Sequence, residues 1–267
     1  MPYANNNGVR IYYEVEGEGP PLVLAHGVSG NLNMWRKVGY VDFLKSDYRL
    51  ILFDARGHGR SDKPHDAADY GTKMTDDVVS ILDSMHISRA YYFGYSMGAR
   101  IGYYLAAIHA DRFRGFILGG AGIIDAATSR ARAEVTQGLL NLPKDRQAAL
   151  IGRERELGRP LTSEEKAELL AIDPEALLAL RSALAAMPEL NRQYLSAISS
   201  PCLLYCGDAD PRYTGTKEAA AYIPGARFVS LPGFDHKPAF AQSSLILPHI
   251  MQFLAQVSTR LGQPAPG

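Results

Sequence analysis

Gly94-Tyr95-Ser96-Met97-Gly98 is the stretch of this 267-residue chain whose residue types and spacing point most directly to chemistry. A β-prone apolar run, Tyr91-Tyr92-Phe93, breaks at Gly-x-Ser-x-Gly, and the chain resumes with Ile101, Leu105 and Ile108 at helical spacing. That pattern reads as a nucleophile elbow. The turn must be so tight that Ser96 takes a strained backbone conformation with its Oγ above the sheet, and Gly94 and Gly98 leave it room. The helix that follows points free N–H groups and its positive dipole end at the place where an oxyanion would develop. A serine hydroxyl is a weak nucleophile at neutral pH, so a base must take its proton and a buried carboxylate must orient that base. His236 follows a late apolar run, as do Asp208 and Asp210, whereas the other histidines fall in earlier loops, at helix ends or within the closing helix.

The elements that must position these groups follow from the hydrophobic pattern. Asn7-Gly8 between β-prone runs at 3–6 and 9–16 is a hairpin signal and an antiparallel edge. The fully apolar run 22–25 and the largely apolar runs 48–53, 90–93, 115–118, 201–206 and 226–231 have the character of buried parallel strands. Helices are predicted around 35–45, over 72–86, over 97–109 and over 243–261. Between 125 and 197 the chain is rich in Ala, Leu, Glu and Arg, with breaks at Pro143, Pro160, Pro174 and Pro188, which gives four or so short helices. This segment reads as a helical lid inserted at the carboxyl ends of the strands, where open α/β sheets bind ligands. The sheet core then comprises 1–124 and 198–261, and the tail 262–267 is expected to be disordered. Leu139, Leu140, Leu142, Leu177, Leu178, Leu180 and Leu184 are more leucines than such helices need to rest on a covered sheet, so an apolar roof over Ser96 is expected.

Composition narrows the classes. With 46% hydrophobic residues the chain can bury a large core, best as one α/β domain with an insertion. Twenty-eight basic residues balance 28 acidic ones, so neither a nucleic-acid footprint nor a polybasic membrane anchor is indicated, and the expected partner is a small molecule. The N-terminal residues lack a basic n-region and an apolar h-region, and no apolar run reaches spanning length, which points to the cytoplasm. Cys202 and Cys206, four apart on a strand, are roughly 13 Å apart at about 3.3 Å per residue, too far to bridge, and read as reduced core residues. The sequence leaves the oligomeric state open.

Taken together, His26-Gly27, Asp54-x-Arg56-Gly57-His58-Gly59-x-Ser61-Asp62, Gly94-x-Ser96-x-Gly98, Gly207-x-x-Asp210 and His236 resemble the α/β-hydrolase superfamily over nearly the whole chain, in the branch of serine esterases, enol-lactonases and cofactor-free haloperoxidases. The resemblance implies an α/β-hydrolase fold: a mostly parallel twisted sheet with helices on both faces and an inserted helical lid. It implies Ser96, Asp210 and His236 as catalytic triad, with Asp210 rather than Asp208 matching the family's acid. It implies backbone N–H groups of Val28 and Met97 as the oxyanion hole, and no metal or organic cofactor. Trp35 stands at a spacing common in the family and either lines the acyl pocket or packs the following helix. Tyr95, set beside the pocket, replaces the His or Asn often found before the serine, and Ala99 replaces a frequent Gly. Dehalogenases of this fold share Arg-Gly-His-Gly but use an aspartate nucleophile. The implied activity is hydrolysis of a carboxylic ester or lactone through an acyl-enzyme, with acyl-homoserine lactones among the candidates. Perhydrolysis, C–C bond hydrolysis and a non-enzymatic small-ligand receptor are the alternatives.

Overall fold

Asn7 and Gly8, at φ 50° and 92°, close the hairpin that joins β1 (Tyr3–Asn6) to β2 (Val9–Glu16). In this computed structural model, which describes residues 3–140, 146–260 and 262, β2 pairs antiparallel with β4 (Arg49–Phe53) and so carries the hairpin at the edge of the sheet. The remaining strands, β3 (Pro21–Ala25), β5 (Ala90–Tyr95), β6 (Phe113–Gly119), β7 (Cys202–Gly207) and β8 (Arg227–Leu231), run parallel. The order is β1-β2-β4-β3-β5-β6-β7-β8.

The period-two geometry of a strand explains how apolar runs serve two cores at once. Val23 and Ala25 of β3 face one cluster with Ile51, Tyr92 and Leu118, while Leu22 and Leu24 face another with Leu50, Leu52 and Phe93. Helices α3 (Lys73–Ser84) and α4 (Met97–Ile108) cover the first face through Val78, Ile81 and Leu105. Helices α1 (Met34–Lys37), α2 (Tyr40–Leu44) and α12 (Ser243–Arg260) cover the second through Trp35, Leu44 and Ile250. Burying each such large apolar side chain contributes about 1.5–3 kcal/mol, which makes the sheet the rigid base of the molecule.

The insertion between β6 and β7 consists of α5 (Ala126–Leu140), α6 (Arg146–Leu157), α7 (Ser163–Leu170), α8 (Pro174–Ala186) and α9 (Arg192–Ser196). Its punctuation is chemical. Thr162 and Glu165 form a capping box at the start of α7. Asp173 accepts from the Ala176 N–H and Pro174 occupies the first position of α8, where its missing N–H costs nothing. The Pro143 break and residues 263–267 of the tail lie outside the described residues. Leu177, Leu180 and Leu184 join the core cluster on the α4 side of the sheet, Leu178 packs against it, and the Arg100 guanidinium of α4 donates to the Leu184 carbonyl, so α8 is docked on α4.

Two local departures from the sequence reading have clear causes. The single helix expected around 35–45 is two short helices, because Gly39 turns the chain in the left-handed region at φ 82°. Helices α10 (Tyr213–Tyr222) and α11 (His236–Ala241) were not anticipated; α10 has a weak apolar face, and α11 has only six residues. The closing helix is as expected and runs on through Pro248.

Candidate active site

Ser96 sits at φ 56° and ψ −108°, the strained conformation required of an elbow. Its N–H donates to the Gly119 carbonyl at 2.8 Å and the Gly98 N–H to the His26 carbonyl at 3.1 Å, which tie the turn to the strand ends on both sides. The flanking glycines are steric necessities. A Cβ on Gly94 would stand 2.4 Å from the Gly98 carbonyl carbon, and one on Gly98 would stand 2.1 Å from the Ala25 carbonyl oxygen.

Ser96 Oγ lies 2.9 Å from His236 Nε2, and His236 Nδ1 lies 2.6 Å from Asp210 Oδ2. An ionised carboxylate only accepts, so Nδ1 must carry the hydrogen and Nε2 of the neutral ring is left to accept from the serine. Asp210 is buried, and its other oxygen accepts from the Arg212 N–H and guanidinium, each at 3.0 Å. Burial by itself would raise its pKa, but the hydrogen bond and charge of His236 and the Arg212 contacts outweigh that and hold the carboxyl below the usual carboxylate range. Asp208 is elsewhere engaged, accepting from the Gly233 N–H at 2.7 Å. His236 opens α11, where Asp235 caps its N–H at 2.6 Å.

Tyr95 and Trp35 do not line the chamber at Ser96. Tyr95 is buried behind the base: its hydroxyl donates to the His236 carbonyl and its ring stacks at 5.1 Å on the imidazole. Trp35 is fully buried, edge-on to Tyr40, Phe93 and Phe240 at 4.6–5.4 Å, because the break at Gly39 turns this segment back onto the sheet. It packs rather than binds.

The loop after β3 brings Val28 to the elbow, and two buried histidines shape it. His26 Nε2 accepts from the Ala55 N–H at 3.0 Å and its Nδ1–H donates to the Gly27 carbonyl at 2.8 Å. His58 Nε2 accepts from the Ser29 N–H at 3.2 Å and its Nδ1–H donates to the Arg56 carbonyl at 3.1 Å. Both rings must be neutral to accept. Burial, reinforced by the neighbouring His26, pushes His58 down to about 3, and burial lowers His26 against the pull of Asp54. Among the described residues the Val28 N–H has no protein acceptor, and the Met97 N–H, first in α4, has none within its helix.

Val28, Ser96 and Met97 line a chamber of about 60 Å³ whose wall also carries four arginines, Arg100, Arg132, Arg181 and Arg212, beside apolar residues such as Ile124 and Leu184. Among the described side chains the expected leucine roof is absent. Only Leu184 of the leucines singled out reaches this chamber, Leu140 is exposed, Leu177 lines a different cavity, and the side chains of Leu139 and Leu142 lie outside the described residues. The leucines of α8 are spent on docking it to the core. Arg132 is pulled down to about 10 by burial and then by the charges of Arg100, Arg181 and Arg212, and Arg181 is lowered by burial, Arg212 and Arg100. Sequence reasoning missed all four arginines. Arg100 and Arg181, each set among apolar residues, carried a signal, whereas Arg132 lies in a stretch of alternating Arg, Ala and Glu that reads as a solvated face.

A second cavity of about 390 Å³ lies between the loops at 29–34 and 57–59 and the insertion at 159–177. Its cations are paired: Lys37 with Glu168 at 2.6 Å and Arg159 with Glu165 at 2.7 Å.

Comparison with known proteins gives the same fold. The chain is 27% identical over 218 residues to 3-oxoadipate enol-lactonase 1 of Acinetobacter baylyi, covering 79% of this chain and 80% of that protein. The solved enol-lactonase of Burkholderia xenovorans LB400 matches with a TM-score of 0.76 and 27% identity, covering 95% of this chain and all of that one. Est816, described as an N-acyl homoserine lactone degrading enzyme, matches with a TM-score of 0.72 and 26% identity over 94% of this chain and all of that one. The family model described as the alpha/beta hydrolase fold matches residues 20–173, more than half of the chain. With the elbow and the eight-stranded sheet already in place, that match shows that the chain belongs to the α/β-hydrolase family.

Proposed function

We propose that the protein hydrolyses a carboxylic ester or lactone through an acyl-enzyme on Ser96, with His236 as the base, Asp210 as its orienting carboxylate, and the Val28 and Met97 N–H groups as the oxyanion hole. The observation that carries this reading is the continuous line of hydrogen bonds from Ser96 Oγ through His236 to Asp210, at 2.9 and 2.6 Å, set at a strained elbow.

His236 takes the Ser96 proton as Oγ attacks the carbonyl carbon, and the tetrahedral oxyanion forms beside two N–H groups already aimed at it. Asp210 stabilises the imidazolium so formed. Collapse breaks the bond to the alkoxy oxygen, which takes the proton from His236; in a lactone this opens the ring. Water then attacks the acyl-enzyme by the same route, with His236 accepting its proton and returning it to Ser96. The inserted segment 125–197 acts as a lid on the core formed by 1–124 and 198–261, since α5 and α8 supply the far wall of the chamber. A small molecule is the only partner the reaction needs.

A fluorophosphonate probe followed by peptide mass analysis should place one adduct on Ser96, and a panel of p-nitrophenyl esters and lactones should be turned over by the native chain only. Unchanged labelling of the Ser96→Ala variant would remove the assignment.

A further inference from the structure

The wall opposite Ser96 is assembled from four separate places in the chain. Arg100 lies one helical turn past the serine, Arg132 on α5, Arg181 on α8, and Arg212 two residues after Asp210. Only Arg212 is answered by a carboxylate, that of Asp210 at 3.0 Å. Among the described residues no Asp or Glu oxygen lies within 4 Å of the other three guanidinium groups. The contacts they do make are to neutral oxygens. Arg100, itself buried, donates to the Leu184 carbonyl at 3.0 Å, and its Nε is buried with no acceptor. Arg181 donates to the Thr136 hydroxyl at 3.0 Å and to the Arg132 carbonyl. The Arg132 guanidinium donates to no protein acceptor among the described residues, and burial together with its three cationic neighbours works against its charge.

Like charges gathered in a poorly solvated wall repel one another and lose hydration, so the arrangement opposes folding unless something else is gained. Two planar guanidinium forks with unclaimed donors match a carboxylate in geometry as well as charge. The free space beside them, about 60 Å³, suits a compact anionic group.

We infer that the substrate is a small ester or lactone bearing its own carboxylate a few bonds from the scissile carbonyl, and that Arg132, with Arg100 and Arg181, binds that carboxylate while Ser96 attacks. This rests on Ser96 being the nucleophile. It assigns the product as a dicarboxylate when the charge is on the acyl side. Arg212 is left to its role beside Asp210.

The test compares p-nitrophenyl hydrogen succinate and glutarate with the neutral butyrate and valerate esters, in the native chain and in Arg132→Gln. The native chain should favour the charged esters by at least about tenfold in kcat/KM, and the variant should lose most of that ratio, mainly through KM, with the native ratio falling as salt rises. Equal or weaker hydrolysis of the charged esters beside active hydrolysis of the neutral ones would overturn this inference and leave the serine-hydrolase reading intact. A second measurement does not depend on turnover. Calorimetric titration of Ser96→Ala with succinate and glutarate should show binding that weakens at least about tenfold on adding Arg132→Gln. No binding at millimolar ligand would overturn the inference. If no ester is hydrolysed and no probe labels Ser96, the hydrolase reading fails, and the calorimetry alone decides whether the arginine wall binds a carboxylate.

Discussion

Two cavities open between the sheet and the inserted helices, both lined by cations, and they differ in what answers those cations. In the larger, Lys37 meets Glu168 and Glu164, and Arg159 meets Glu165 in a two-pronged pair, so the charge is closed within the protein. In the smaller, at Ser96, Arg100, Arg132 and Arg181 meet carbonyls, a hydroxyl or nothing. Volume would direct attention to the larger cavity. Chemistry directs it to the smaller, because a paired charge belongs to the fold, while a group held ready without a partner stands available to a ligand.

The comparison breaks most decisively at Ser96. Ser96→Ala should lower turnover by about 10⁴- to 10⁶-fold, and adding His236→Ala should cost little more, since the two act as one unit. Strictly additive losses in steady-state assays would separate them. Next in size, Asp210→Asn should cost about 10⁴-fold by favouring the wrong imidazole tautomer. Asp208→Asn, whose oxygen only serves the Gly233 N–H, should cost less than about tenfold, and the reverse ranking would move the acid by two residues.

The two cavities themselves are compared by paired substitutions. Arg132→Gln should lower kcat/KM for a carboxylate-bearing ester by about 10- to 100-fold, and Arg159→Gln by less than about twofold. A loss on the Arg159 side as large as that on the Arg132 side would return the larger cavity to the reaction.

The smallest expected effect concerns the loop that borders both cavities. His58 is held near 3, far below the ordinary histidine value of about 6.5, so between those values the unfolded chain binds a proton that the folded chain does not. Stability from this group is whole above about pH 6.5 and falls on acidification by up to about 1.4 kcal/mol per pH unit. Urea midpoints at pH 7, 6 and 5 should therefore drop, and His58→Gln should be less stable at pH 7 yet show a flatter acid limb. An unchanged slope would mean that His58 titrates in the folded chain.

The elbow, the strands and the positions of Ser96 and His236 were legible because each rests on local pattern: a glycine-flanked turn, apolar runs of strand length, polar residues just beyond their ends; that pattern left Asp208 and Asp210 both open, and the family resemblance chose Asp210. Trp35 was not, because whether a tryptophan after a loop faces ligand or core depends on the turn at Gly39, set by one glycine in the left-handed region. The roof was misread for a related reason. Leucines at helical spacing say that a helix has an apolar face and do not say what that face meets; here it is the core beside α4. Arg132 and Arg181 are 49 residues apart and were unrelated until the packing of α5 on α8 set them in one wall.

That packing has a consequence for how specificity can change. Arg181 reaches across to the Arg132 carbonyl and the Thr136 hydroxyl, so its guanidinium is braced by α5 rather than by the sheet. Two of the charge-reading groups, Arg132 and Arg181, therefore sit on inserted helices apart from the reacting groups, while Arg100 shares the elbow helix with Ser96. A new substrate charge can be acquired by exchanging α5 and α8 as a pair, whereas α8 transplanted alone would arrive without the acceptors that aim Arg181.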